Sequence, residues 1–279
     1  IYFADQANGL DGFIPYKVRI EEEQIKITSN ETHENVYAQL FFAYFNILNS
    51  VDDIDIHQKI RRHVRLIINH FHKNNFVLVD HKGNKTEFSD LSPKRFSLLH
   101  NRQLSLISML DFALFALDKN EDQQLIEKIS ATRGQITSMN YEEKAQSLHW
   151  QIGALEFPTQ SSSWLNFLKI YTGFHSSKKQ FYRDALNKLY EPYQEEENIF
   201  FQLVYSSIQD KKTPDLLLKI REQLETFPTD LSKRELINSE DTGLGFKYGN
   251  YIKLKRQLEV TSPMPIYRRP LNSYEWKRN

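Results

Sequence analysis

Cysteine is absent from all 279 residues. That excludes disulfides, thiolate metal sites and a cysteine nucleophile. Glycine and proline are scarce, nine of each, and long stretches carry neither, which favours helices over a strand-and-turn protein. Net charge is absent too, with 36 Lys and Arg against 36 Asp and Glu. A general nucleic-acid binder carries a basic excess, so no nucleic-acid partner is expected. No apolar run approaches the roughly 18 residues of a membrane span. The chain has no Gly-x-Gly-x-x-Gly loop, P-loop or Gly-x-Ser-x-Gly elbow. It also lacks a His-Glu-x-x-His motif and an aspartate-rich calcium loop, so neither a metal nor a cofactor is expected.

What is present is a 40% share of hydrophobic residues, too many for a disordered chain. A chain this long can bury about three quarters of its surface, enough for one large core. An all-α fold is expected, read as a single helical domain over 1–279. It has an N-terminal arm over 1–30, in which Val18–Ile20 and Gln24–Ile27 alternate as a small hairpin. The Pro-rich, basic stretch over 261–279 reads as an extended tail. The chain begins at Ile1 rather than Met, so it reads as part of a longer one, and any signal peptide would have been lost with the start.

Periodicity places helices over 34–49, 52–74, 98–117, 122–132, 164–171, 178–190, 199–208 and 214–226. Asn30 or Thr32 is the expected cap of the first, and Asp52 and Asp53 suit the positive end of the second. A short strand over 76–80 turns back at His81–Asn84. Gly243-Leu244-Gly245 reads as a loop, and Ser161-Ser162-Ser163 as a loop and helix cap. His63, His70 and His72 read as surface histidines. Lys59, Arg61, Arg62 and Arg65 read as a solvated helix face. Paired helices joined by short loops fit a bundle, a solenoid or a ring of hairpins.

Several segments in order carry a resemblance. They are Asn8-Gly9-Leu10-Asp11-Gly12, the turn from Val79 to Thr86, Glu195-Glu196-Glu197-Asn198-Ile199-Phe200-Phe201, Arg268-Arg269-Pro270, and Trp276-Lys277-Arg278-Asn279. Together they resemble a largely uncharacterised bacterial family whose fold is an (α/α) toroid similar to six-hairpin glycosidases. The resemblance implies a toroid, complete or incomplete, and a carbohydrate-active protein: a glycoside hydrolase or a polysaccharide lyase working in a central cleft. A secreted or periplasmic location is the matching expectation. Where relatives carry a Ser-Asp-Asp-like stretch, this chain has Gln194-Glu195-Glu196-Glu197, which keeps the charge on longer side chains.

Glycoside hydrolysis needs two carboxyl groups, one donating a proton and the other activating water or attacking carbon. Glu31 and Glu34, just before the first strong helix, are catalytic candidates, as are Glu195 and Glu196 before another. Asp11 and Asp80 are further carboxylates near turns. In each case the competing role is helix capping or solvated charge. His33, Tyr37, Asn101 and Arg102 are candidate substrate-binding residues. His149, Trp150 and Trp164 are candidates for an aromatic platform, with interhelix packing as the alternative. The partner implied is a glycan or another extended ligand. A non-catalytic glycan- or peptide-binding toroid and a helical protein-interaction scaffold remain open beside the enzyme.

Overall fold

A computed structural model describes residues 12–15, 18–21, 24–27, 32–80, 82–91, 102–139, 160–190, 199–210, 214–225, 236–247 and 250–259. The described part is mostly helical. In chain order its elements are β1 (Val18–Glu21), β2 (Gln24–Ile27), α1 (Glu34–Ser50), α2 (Ile54–Lys73), β3 (Val77–Val79), β4 (Lys85–Asp90), α3 (Arg102–Ala116) and α4 (Gln123–Ser138). Then come α5 (Gln160–Ser177), α6 (Gln180–Tyr190), α7 (Ile199–Gln209), α8 (Pro214–Glu225), β5 (Leu236–Lys247) and β6 (Asn250–Glu259). The six strands form three separate antiparallel hairpins. Among the described residues, no helix is long and apolar enough to cross a membrane.

The chain divides into two compact units, one of residues 1–148 with 168–182 and one of residues 149–167 with 183–279. In the first unit, α1 packs along α3, with Phe41 against Phe112 at 4.9 Å and Phe45 near Phe115 at 5.5 Å between ring centres. Tyr37 meets Phe71 of α2 edge-on at 4.9 Å. Ile60, Val64, Ile67, Ile68 and Phe71 are all buried, the inner stripe that the spacing of α2 predicts. Asp53 caps α2 by accepting from the Ile56 N–H at 3.1 Å.

The segment from Gly12 to Pro15 lies against these helices. Phe13 is fully buried. Gly12 has φ of 86°, and a Cβ there would collide with the Leu66 carbonyl and the His70 side chain. Only glycine tolerates both demands. The Ile14 N–H donates to the Tyr37 hydroxyl at 3.1 Å, and the Thr32 hydroxyl donates to the Ile14 carbonyl at 2.6 Å.

That last bond corrects the expected cap of α1. Thr32 is spent on the arm, so the N-cap is His33, whose Nδ1 accepts from the Asn35 N–H at 3.2 Å. Asn30 lies outside the described residues. The histidines also differ from expectation: His63 and His70 are buried, at 3% and 7% exposure. They fall on the apolar stripe of α2, and His63 Nδ1 lies 3.0 Å from the Tyr44 hydroxyl. The basic face is not simply solvated either. Arg65 pairs with Asp122 and Glu121, and Arg61 lies 3.8 Å from Asp118.

In the second unit, Phe167 stacks on Phe201 at 4.3 Å, and Tyr190 on Tyr205 at 4.1 Å. The Gln209 amide donates to Asn187 at 2.7 Å. Two readings change here. Ser161–Ser163 lie within the first turns of α5, not in a loop before it. Gly243-Leu244-Gly245 lies inside β5, at an irregularity between Asp241 and Leu244 in the register with β6. Glycine in a strand marks such a bulge. The register sets Asp241 opposite Lys255 and Glu240 opposite Arg256.

Candidate functional site

Of the four candidate carboxylates, Glu34 is the one within the described residues. Glu31, Glu195 and Glu196 lie outside them, as do Asp11, Asn101, His149 and Trp150. Arg102 opens α3, and nothing further is described of its side chain.

Glu34 is the first residue of α1 and is buried, at 4% exposure. Helix N-termini favour anions, but this carboxylate points inward rather than to water. Its Oε2 lies 2.9 Å from His33 Nδ1. The same Nδ1 accepts from the Asn35 N–H. One ring nitrogen holds either a lone pair or a proton, so it cannot serve both contacts. With the lone pair there, the helix is capped and Glu34 Oε2 lacks a donor. With the proton there, His33 donates to Glu34 and gives up the cap.

Lys169 of α5 is the second charged group at this place. It is 4% exposed, and burial pulls its ammonium down to about 8, against the opposing attraction of Glu34. Burial pushes the Glu34 carboxyl up, but His33 and Lys169 outweigh it, and the net shift is downward. Glu34 is therefore ionised at neutral pH. Thr172 lies one turn beyond Lys169 on the same face of α5. Beyond His33 Nδ1 at 2.9 Å, Glu34 Oε2 has no hydrogen-bond partner among the described residues, and Asn35 Oδ1 and Thr172 Oγ1 have none. Unsatisfied buried polar atoms are costly, and together with shifted ionisable groups they mark a functional candidate.

Tyr37, one turn into α1, is completely buried, and burial pushes its phenol up to about 12. Its hydroxyl holds the Ile14 backbone, so it anchors the arm. Trp164 is half-buried on α5, with one face taken by Phe200 at 3.6 Å between ring centres. That contact is the packing alternative to an aromatic platform. Asp80 is also structural. Its Oδ1 accepts from the Lys82 and Asn84 N–H groups, both at 2.8 Å, and its Oδ2 from the Asn84 amide at 3.1 Å.

A second buried charge has a different character. Asp111 of α3 is fully buried and accepts from Arg133 Nε at 3.0 Å, Arg133 Nη2 at 3.4 Å, Lys179 Nζ at 2.7 Å and the Tyr182 hydroxyl at 2.7 Å. Both carboxylate oxygens are satisfied, so this is a structural hub tying α3 to α4 and to the start of α6.

Sequence reasoning passed over both Lys169 and Asp111. A signal existed, since each is a lone charge in an apolar run: Leu168-Lys169-Ile170 and Met109-Leu110-Asp111-Phe112-Ala113. Charged residues are almost never fully buried without a partner. Among the described residues, no group of three acidic or histidine side chains is placed to hold a metal ion. Comparison with known protein families, curated proteins and solved structures finds no match to this chain.

Proposed function

We propose that this is a carbohydrate-active protein in which Glu34 is a working carboxylate. The (α/α) toroid arrangement of its helical hairpins belongs to the same proposal. The observation that supports it is the setting of Glu34: a buried, ionised carboxylate at a helix start, within the electrostatic reach of the buried Lys169 ammonium. An ionised carboxylate suits the base, the nucleophile or an acceptor for sugar hydroxyls, and not the proton donor. The acid partner in this reading is Glu31. Without such a partner, the same carboxylate serves a non-catalytic glycan-binding protein.

The test is incubation of the full chain with a panel of neutral and acidic oligosaccharides, followed by mass spectrometry and calorimetry. Hydrolysis adds one water to the summed product mass, whereas a lyase adds none and leaves an unsaturated sugar. Binding without cleavage selects the non-catalytic form. Neither binding nor cleavage of any member removes the proposal.

A further inference from the structure

Away from Glu34, a cleft of about 590 Å³ opens along the last two turns of α2 and the middle of α4. Its lining is Leu66, Asn69, His70, His72 and Lys73 from α2 and Lys128 from α4. The volume is that of a small-molecule site. No carboxylate is among these residues, although the chain as a whole is neutral. Lys73 and Lys128 are exposed and stand on different helices, so a ligand between them meets positive charge from both sides. Leu66 and the lysine stems supply an apolar wall.

A helix C-terminus ordinarily repels anions, because its last carbonyls carry partial negative charge. Here those carbonyls are already occupied. The His70 carbonyl accepts from the Asn74 N–H at 3.2 Å and the Asn74 side-chain amide at 2.9 Å. The Phe71 carbonyl accepts from the Phe76 N–H at 2.7 Å, and the His72 carbonyl from the Asn75 N–H at 3.2 Å. The chain makes these bonds by placing Asn75 and Phe76 at φ of 51° and 60°. A bulky residue such as phenylalanine rarely adopts that conformation, and such strain gathers at functional sites. The same turn sets the Phe76 ring against His72, edge-on at 5.0 Å. His72 Nε2 is a buried ring nitrogen without a hydrogen-bond partner among the described residues.

We propose that this cleft binds a small oxyanion, a phosphate or carboxylate group on a compact body, held between Lys73 and Lys128 with Asn69 and His72 as hydrogen-bond donors. The site does not depend on Glu34, and the two readings stand or fall separately.

The test titrates the full chain with inorganic phosphate, pyrophosphate and glucuronate in turn, at constant ionic strength, by calorimetry. At least one probe should saturate with a Kd of about 1 mM or tighter. Lys128→Gln should weaken that binding roughly tenfold or more, the loss of a charge-assisted contact. Lys82→Gln, an exposed charge on the β3–β4 turn, should bind as the wild type does. Saturation by the phosphates alone identifies a phosphate ligand, by glucuronate alone a carboxylate, and by all three the shared chemistry. No saturation of any probe at about 10 mM, or equal binding by Lys128→Gln, overturns the assignment. Lys128 is exposed, and a circular dichroism spectrum confirms that its variant is folded.

Discussion

Replacing Asp111 should be among the most damaging single changes in the first unit. Its carboxylate has no exposed surface, and the Arg133 side chain is 6% exposed. Asp111→Ala deletes the acceptor of four contacts and leaves the Arg133 guanidinium buried without its carboxylate. Breaking a buried ion pair in this way costs about 3–5 kcal/mol. Lys179 contributes less, because its side chain is 38% exposed and water screens it. Each kcal/mol shifts the melting temperature of a unit this size by about 2–4 °C, so a drop of roughly 6–20 °C is expected. Thermal unfolding followed by far-UV circular dichroism measures it. Lys179→Ala should cost less than about 1 kcal/mol. The double variant Asp111→Leu/Arg133→Leu should regain much of the loss, since it removes both charges together. A melting temperature for Asp111→Ala within about 2 °C of the wild type would refute the hub. So would a Lys179→Ala cost equal to that of Arg133→Ala.

Two further predictions follow from burial. A Cβ at Gly173 would collide with the ring and hydroxyl of Tyr182, so Gly173→Ala should destabilise by about 1–3 kcal/mol, read as a lower urea midpoint. Lys169 has a folded value of about 8 against an ordinary 10.5. Between these values the unfolded chain holds the proton and the folded chain does not, so stability rises with pH across that window, by up to about 3 kcal/mol. Tyr37 works the other way above its ordinary value of 10, because the folded chain keeps its proton to about 12. Urea midpoints from pH 7 to 11 should climb past pH 8 in the wild type, and Lys169→Met should lose that climb.

The helices were legible because their apolar stripes recur at the helical period. Ile60, Val64, Ile67, Ile68 and Phe71 mark α2 this way, and the structure buries all five. Their ends were less legible. The spacing gave α4 as 122–132, yet it continues to Ser138, where Arg133 reaches Asp111 and Ile136 is buried. Those are tertiary reasons that no local pattern states. The β5–β6 hairpin was missed although Ile252 and Leu254 alternate with Lys253 and Lys255. Similarly, the cap of α1 passed to His33 because Thr32 is taken by Ile14, eighteen residues earlier. At the candidate site, Glu34 and His33 were visible as polar residues before an apolar helix. Lys169 was not, since a partner 135 residues away in sequence leaves no local trace.

The most direct test of the carbohydrate reading is a side-by-side assay of wild type and Glu34→Gln on the oligosaccharide panel. The substitution keeps the shape and removes the charge. The wild type should cleave or bind at least one member. Glu34→Gln should stay folded and lose roughly a hundredfold or more of the turnover, or about tenfold of the affinity if the protein only binds. Equal behaviour of the two proteins, or a panel that neither recognises, would contradict the role given to Glu34.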